Sequence, residues 1–185
     1  MEPFEYIAAI YSVVVALAAA NLLASLGETL KYRKTLHHYW LHTAWCVASL
    51  LTLLAIWVSI WGNLSGIEKI SFLEMLPFFQ FVIFHYLATW LLKPSSFTPD
   101  LDLRSYFYTI RTPFLLCHLI PMVILVPWIV FWLKVPVDGA IVTTFGQWAV
   151  LVMGLLSSRH QVQVVVFVAY FSLQLMQEFY QYGIG

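Results

Sequence analysis

At 185 residues, 62% hydrophobic and only 10% charged, with a mean hydropathy of +0.84, this sequence lacks the polar side chains to cover a water-facing surface. A soluble domain carries roughly a quarter charged residues. Nine basic and nine acidic side chains cancel to a formal net charge of +0, and no polybasic tract offers itself to nucleic acid. The expectation is an all-α fold: a single polytopic transmembrane helix bundle of about six spans, with the lipid bilayer as its main partner.

The N-terminus, Met1-Glu2-Pro3-Phe4-Glu5, is acidic where a cleavable signal needs positive charge, so the first span is expected to be retained. That span is placed at residues 7–26. Its small residues Ser12, Ala16, Ala20 and Ala24 recur one turn apart and are expected to admit a neighbouring backbone. Asn21 sits beside this ridge, and Glu28 closes the span. The second span, residues 39–61, opens with His42 and follows the pair His37-His38. A turn at residues 62–66 contains the sequon Asn63-Leu64-Ser65. The third span, residues 72–92, holds Glu74, Pro77, Gln80 and His85.

A polar loop is expected at residues 93–112, its second half lying as an interfacial amphipathic helix. The fourth span then runs over residues 113–133, with Pro113 at its start, His118 inside it, and the interior Pro121 and Pro127 expected to break its hydrogen-bond ladder. The fifth span, residues 139–157, is separated by one short turn from the sixth, residues 161–177, and a merged or re-entrant pair is an alternative there. His160 begins the sixth, which places Gln163, Tyr170, Gln174 and Gln177 on one polar stripe that should face the interior or a partner.

The basic residues sort by loop. Lys31, Arg33, Lys34, Lys93, Arg104, Arg111 and Arg159 follow odd-numbered spans, whereas Lys69 and Lys134 follow even ones. The positive-inside bias then puts the first set in the cytoplasm and both termini outside.

Intramembrane polar groups are costly unless paired or wet, so they define the candidate site. His42, His85, His118 and His160 are the cofactor-binding candidates, since imidazoles on different helices at one depth suit haem, a metal ion or proton relay. Interfacial histidines bonded to backbone, lipid phosphate or Glu28 are the blander reading. Asn21, Glu28, Glu74, Gln80, Gln163, Gln174 and Gln177 are candidate polar lining. Cys46 and Cys117 form no C-x-x-C pair and read as buried thiols. No lysine lies within a span to form a retinal Schiff base, and no phosphate loop, nucleophile elbow or zinc-protease helix is present.

The chain resembles a family of small, uncharacterised bacterial multi-pass membrane proteins. The resemblance rests on Phe4-Glu5-Tyr6, Asn21-Leu22-Leu23-Ala24-Ser25-Leu26-Gly27, Tyr39-Trp40-Leu41-His42-Thr43-Ala44-Trp45 and Asp102-Leu103-Arg104-Ser105-Tyr106-Phe107, and covers the first two thirds of the sequence. It implies a bacterial inner membrane and transfers no activity. Three functions stay open: a transporter or channel-like bundle for a small solute or ion, alone or as a homo-oligomer, which is favoured; a non-catalytic membrane subunit or sensor that binds a partner protein or lipid; and a haem- or metal-binding redox protein.

Overall fold

A computed structural model describes residues 3–64, 71–132, 134 and 137–182. They form six α-helices: α1 (Pro3–Lys31), α2 (Trp40–Leu64), α3 (Phe72–Leu91), α4 (Leu103–Pro127), α5 (Gly139–Leu156) and α6 (His160–Tyr182). A π-helical segment, Trp128–Trp132, extends α4. All six helices are long and apolar enough to cross a membrane. Large apolar side chains cover the outside as well as the inside: Val13, Leu54, Phe72, Val142, Val165 and Phe179 all point away from the bundle. Hydrocarbon is the solvent in which such a surface is stable.

Short polar side chains start α3, α4 and α5. Ser71 and Glu74 make a reciprocal capping box at α3, Ser71 Oγ accepting from the Glu74 N–H while the Glu74 carboxylate accepts from the Ser71 N–H at 2.7 Å. Glu74 is therefore a helix cap at the end of the bundle, not part of an interior lining. Asp102 caps α4 by accepting from the Arg104 N–H, and Asp138 caps α5 by accepting from the Ile141 N–H, neither with a reciprocal partner. Ser157, in extended conformation, ends α5, so the last two helices are separate antiparallel elements rather than one merged span.

The fourth helix departs from expectation. It begins at Leu103, ten residues before Pro113, and absorbs the segment read as an interfacial helix. Leu103, Phe107, Ile110 and Phe114 fall on one face and are all buried, so that segment packs as part of the bundle instead of lying along the headgroups. The loop shortens to residues 92–102. Neither Pro113 nor Pro121 breaks the helix. Each proline removes one rung of the ladder, but only after Pro127 does the backbone leave α form, continuing in π form with Trp128 and Trp132 stacked at 4.8 Å. The sequon turn is only partly accounted for: α2 runs through Leu64, and Ser65 lies outside the described residues.

The loops after α1, α3 and α5 meet at one end. His37 N–H donates to Leu101 O at 2.9 Å and Leu103 N–H returns to His37 O at 3.1 Å. Tyr39 hydroxyl meets His160 Nδ1 at 2.9 Å, and Arg111 Nη1 donates to Ser157 O. The seven basic residues that follow odd-numbered helices thus share one end of the bundle, as alternating crossings require.

The ridge on α1 faces the opposite way from expectation. Ile7, Tyr11, Val15, Ala18, Leu22, Ser25 and Thr29 are the buried positions, while Ala16, Ala20 and Ala24 are exposed. Bulky residues fill the groove toward α2 and α3, and the smooth face is turned outward.

Candidate functional site

Five polar side chains, Ser25, His42, Tyr106, Arg111 and Gln163, close helix C-termini. The last carbonyls of a helix have no partner in their own ladder, and in hydrocarbon no water replaces it. At α3, Leu92 O accepts from His42 Nε2–H (2.9 Å) and from Ser25 Oγ (3.3 Å), and Leu91 O accepts from the Tyr106 hydroxyl (2.7 Å). Three neighbouring helices therefore supply the cap. At α5, Gly154 O and Ser157 O each accept from Gln163 Nε2 (2.9 and 2.6 Å), and both also accept from Arg111 Nη1. The Arg111 cation meets the negative end of the α5 dipole. Gly154 makes this approach feasible: a Cβ there would sit 3.1 Å from both Leu115 Cδ1 and Val166 Cγ1. Gln80, from α3, donates to Pro121 O on α4 at 3.1 Å.

His42 and Gln163 are thus helix caps, and Gln80 is a cross-tie. Glu28 pairs with Lys31 at 3.7 Å on a partly exposed turn. Asn21 is half-buried on α1. Gln174 and Gln177 meet a residue the sequence reading passed over, Gln147 of α5, whose Nε2 donates to both side-chain oxygens at 3.3 Å; Gln174 passes the chain on to Glu178 at 3.2 Å. Gln147 has no exposed surface. A glutamine midway along an apolar span was the signal for it.

His160 stays at the basic end. Tyr39 hydroxyl bridges it to the Tyr108 hydroxyl at 3.5 Å, and desolvation, then that contact, push the Tyr39 phenol up. His38 hydrogen-bonds Thr43 at 3.0 Å.

Two histidines remain. His85 of α3 and His118 of α4 lie with ring centroids 5.3 Å apart, nearly edge to face. Each Nδ1–H donates to the carbonyl four residues back, Phe81 O at 2.9 Å and Phe114 O at 3.1 Å. A carbonyl only accepts, so this bond fixes the tautomer and leaves Nε2 as the basic nitrogen of each ring. Around His118 stand Trp45 of α2 (5.9 Å) and Tyr170 of α6 (5.7 Å), themselves 5.6 Å apart. Four helices meet here, and all four rings are at most 3% exposed. Trp45 lies one turn beyond His42 on α2, a relation visible in sequence but masked by the habit of tryptophan to anchor span ends. The contact between His85 and His118 leaves no gap for a macrocycle between them. Among the described residues no group of three histidine, cysteine or acidic side chains converges as a metal-ligand set.

A shallow apolar groove of about 300 Å³ runs along the outside of α2 and α6, between Ala44, Val47 and Leu51 on one side and Phe167 and Phe171 on the other.

Taken together, six apolar helices and an apolar exterior define a multi-pass integral membrane bundle. Comparison with protein-family models, with curated proteins and with solved structures finds no match.

Proposed function

We propose that the chain is a small-ion transporter of the bacterial inner membrane, that its cargo is the proton, and that His85 and His118 are the exchanging groups. The observation that carries this is the contacting imidazole pair with both Nδ1 atoms tied to backbone and both Nε2 atoms basic. Each ring takes up and releases its proton at Nε2 without breaking the carbonyl bond, so transfer runs between rings rather than through one. Of the other polar candidates, His42, Gln163 and Glu74 cap helices and Gln80 ties α3 to α4. The basic end faces the cytoplasm in this reading.

The test is proton uptake by proteoliposomes under a potassium diffusion potential, followed with an internal pH dye. The full chain should exceed empty liposomes, and His118→Phe should fall to their level while keeping its helical circular dichroism. Uptake by the full chain no faster than by empty liposomes refutes the proposal.

A second reading, a partner subunit or homo-oligomer, draws support from the outward ridge of Ala16, Ala20 and Ala24, which suits close packing of another helix. Disulfide cross-linking through Ala20→Cys in native membranes tests it; a monomer-only pattern counts against it.

A further inference from the structure

On the outside of the bundle, the groove between α2 and α6 is shaped as a slot. Ala48, buried, and Ala44, half-buried, lie one turn apart and form its floor. Val47 and Leu51 make one wall; Phe167 and Phe171 make the other, their rings parallel within 2° at a centroid distance of 6.2 Å. The helical rise from Thr43 to Leu51 gives the slot a length of ~12 Å along the helix axes, at hydrocarbon depth. A volume of about 300 Å³ over that length leaves a section of roughly 25 Å², or about 5 Å across. A helix with its side chains is ~10–12 Å thick, too wide to enter. A single hydrocarbon chain has the right girth.

One end of the slot is polar and cationic. Thr43 lines it there, and the His38 ring meets the Thr43 hydroxyl at 3.0 Å. His160, the first residue of α6, is bonded to Tyr39, the residue before α2, so the two helix starts are tied together. Their sequence neighbours Arg159 and His38, both exposed, therefore flank the same end of the slot. The positive dipole ends of α2 and α6 point there as well. No carboxylate pairs with Arg159 among the described residues. This whole end of the bundle carries seven basic residues against three carboxylates, Glu28, Asp100 and Asp102. An apolar slot with a cationic mouth is the complement of an anionic amphiphile, and basic sites at the ends of membrane helices take anionic headgroups.

We propose that the groove between α2 and α6 is a lipid site, holding one acyl chain of an anionic phospholipid with its phosphate beside Arg159 and His38. The acyl chain fills the slot, and the headgroup charge selects the lipid. The site is remote from the His85–His118 pair in its chemistry and does not depend on proton movement.

The full chain in a mild detergent is titrated separately with dioleoyl phosphatidylglycerol and dioleoyl phosphatidylcholine, and bound lipid is counted by native mass spectrometry. The first phosphatidylglycerol should bind about fivefold or more tighter than phosphatidylcholine, the worth of one surface cation. Arg159→Gln should erase most of that preference, and Ala44→Phe, which fills the slot from its floor, should abolish the tight adduct. Equal binding of the two lipids by the unsubstituted chain overturns the proposal, and decides the matter even if Ala44→Phe does not fold. A tight adduct that survives Ala44→Phe also overturns it. So does disulfide cross-linking of Val47→Cys between chains in native membranes, on a background with Cys46→Ser and Cys117→Ser, because a second copy would then occupy the groove.

Discussion

Gln163→Leu and Arg111→Met, singly and together, probe the shared cap on α5. Gln163 gives two hydrogen bonds to Gly154 O and Ser157 O, and its own Oε1 is buried without a partner. Losing two bonds at a net ~1 kcal/mol each, offset by removing one unpaired oxygen, leaves a cost of about 1 kcal/mol. Arg111→Met removes two charge-assisted bonds to the same two carbonyls and costs about 3 kcal/mol or more. In either single variant each carbonyl keeps one donor. In the double variant both lose their last, and each unsatisfied carbonyl adds about 1–3 kcal/mol. The double variant should therefore be less stable than the sum of the singles by about 2 kcal/mol or more. Reversible unfolding in mixed micelles, titrated with a denaturing detergent and followed by circular dichroism, supplies the four free energies. Additivity within about 0.5 kcal/mol would refute the shared-cap reasoning.

Glycine substitutions should separate by sign in the same assay. Gly154→Ala forces a Cβ against Leu115 and Val166, which are themselves fully buried, and should cost about 1–3 kcal/mol. At Gly27 nothing lies within 4 Å, so Gly27→Ala should stabilise α1 by up to about 1 kcal/mol. His42→Phe keeps the ring but loses the donor to Leu92 O, where Ser25 remains; the melting temperature should fall, and should fall further when Ser25→Ala is added. Asp102 is held below the usual carboxylate range by the Ser105 hydroxyl and the Arg104 N–H, so its contribution is present above about pH 4 and lost as acid protonates the folded carboxylate. Asp102→Asn should flatten the acid limb of a melting-temperature profile, and an unchanged limb would count against the cap.

Helix positions were legible because hydrocarbon imposes one pattern, a charge-poor run of membrane length, and six such runs are present. The sorting of Lys31, Arg33, Lys34, Lys93, Arg104, Arg111 and Arg159 likewise followed from chain order alone. Facing was not legible. In a soluble helix the apolar stripe marks the inside, but here both sides are apolar, so Ala16, Ala20 and Ala24 gave no sign that they point outward. The start of α4 was misplaced because Arg104 and Arg111 read as loop cations, whereas Arg111 works as a cap on α5. The interior Pro121 gave no sign that the helix carries on through it, nor Pro113 that the helix starts well before it. Among the histidines, composition could say that they are few and intramembrane. Only packing separates His42, which caps α3, from His85 and His118, which meet each other.

The arrangement of ends is tested most directly by cysteine accessibility in sealed, oriented membrane vesicles. On a background with Cys46→Ser and Cys117→Ser, single cysteines at Lys34, Ser96 and Ser158 are challenged with a membrane-impermeant maleimide, and compared with cysteines at Ser71 and Val137. The first three should react from one face only, and the other two from the opposite face only. Reaction of Lys34→Cys and Ser96→Cys from different faces, or of all five from the same face, would contradict a six-crossing bundle.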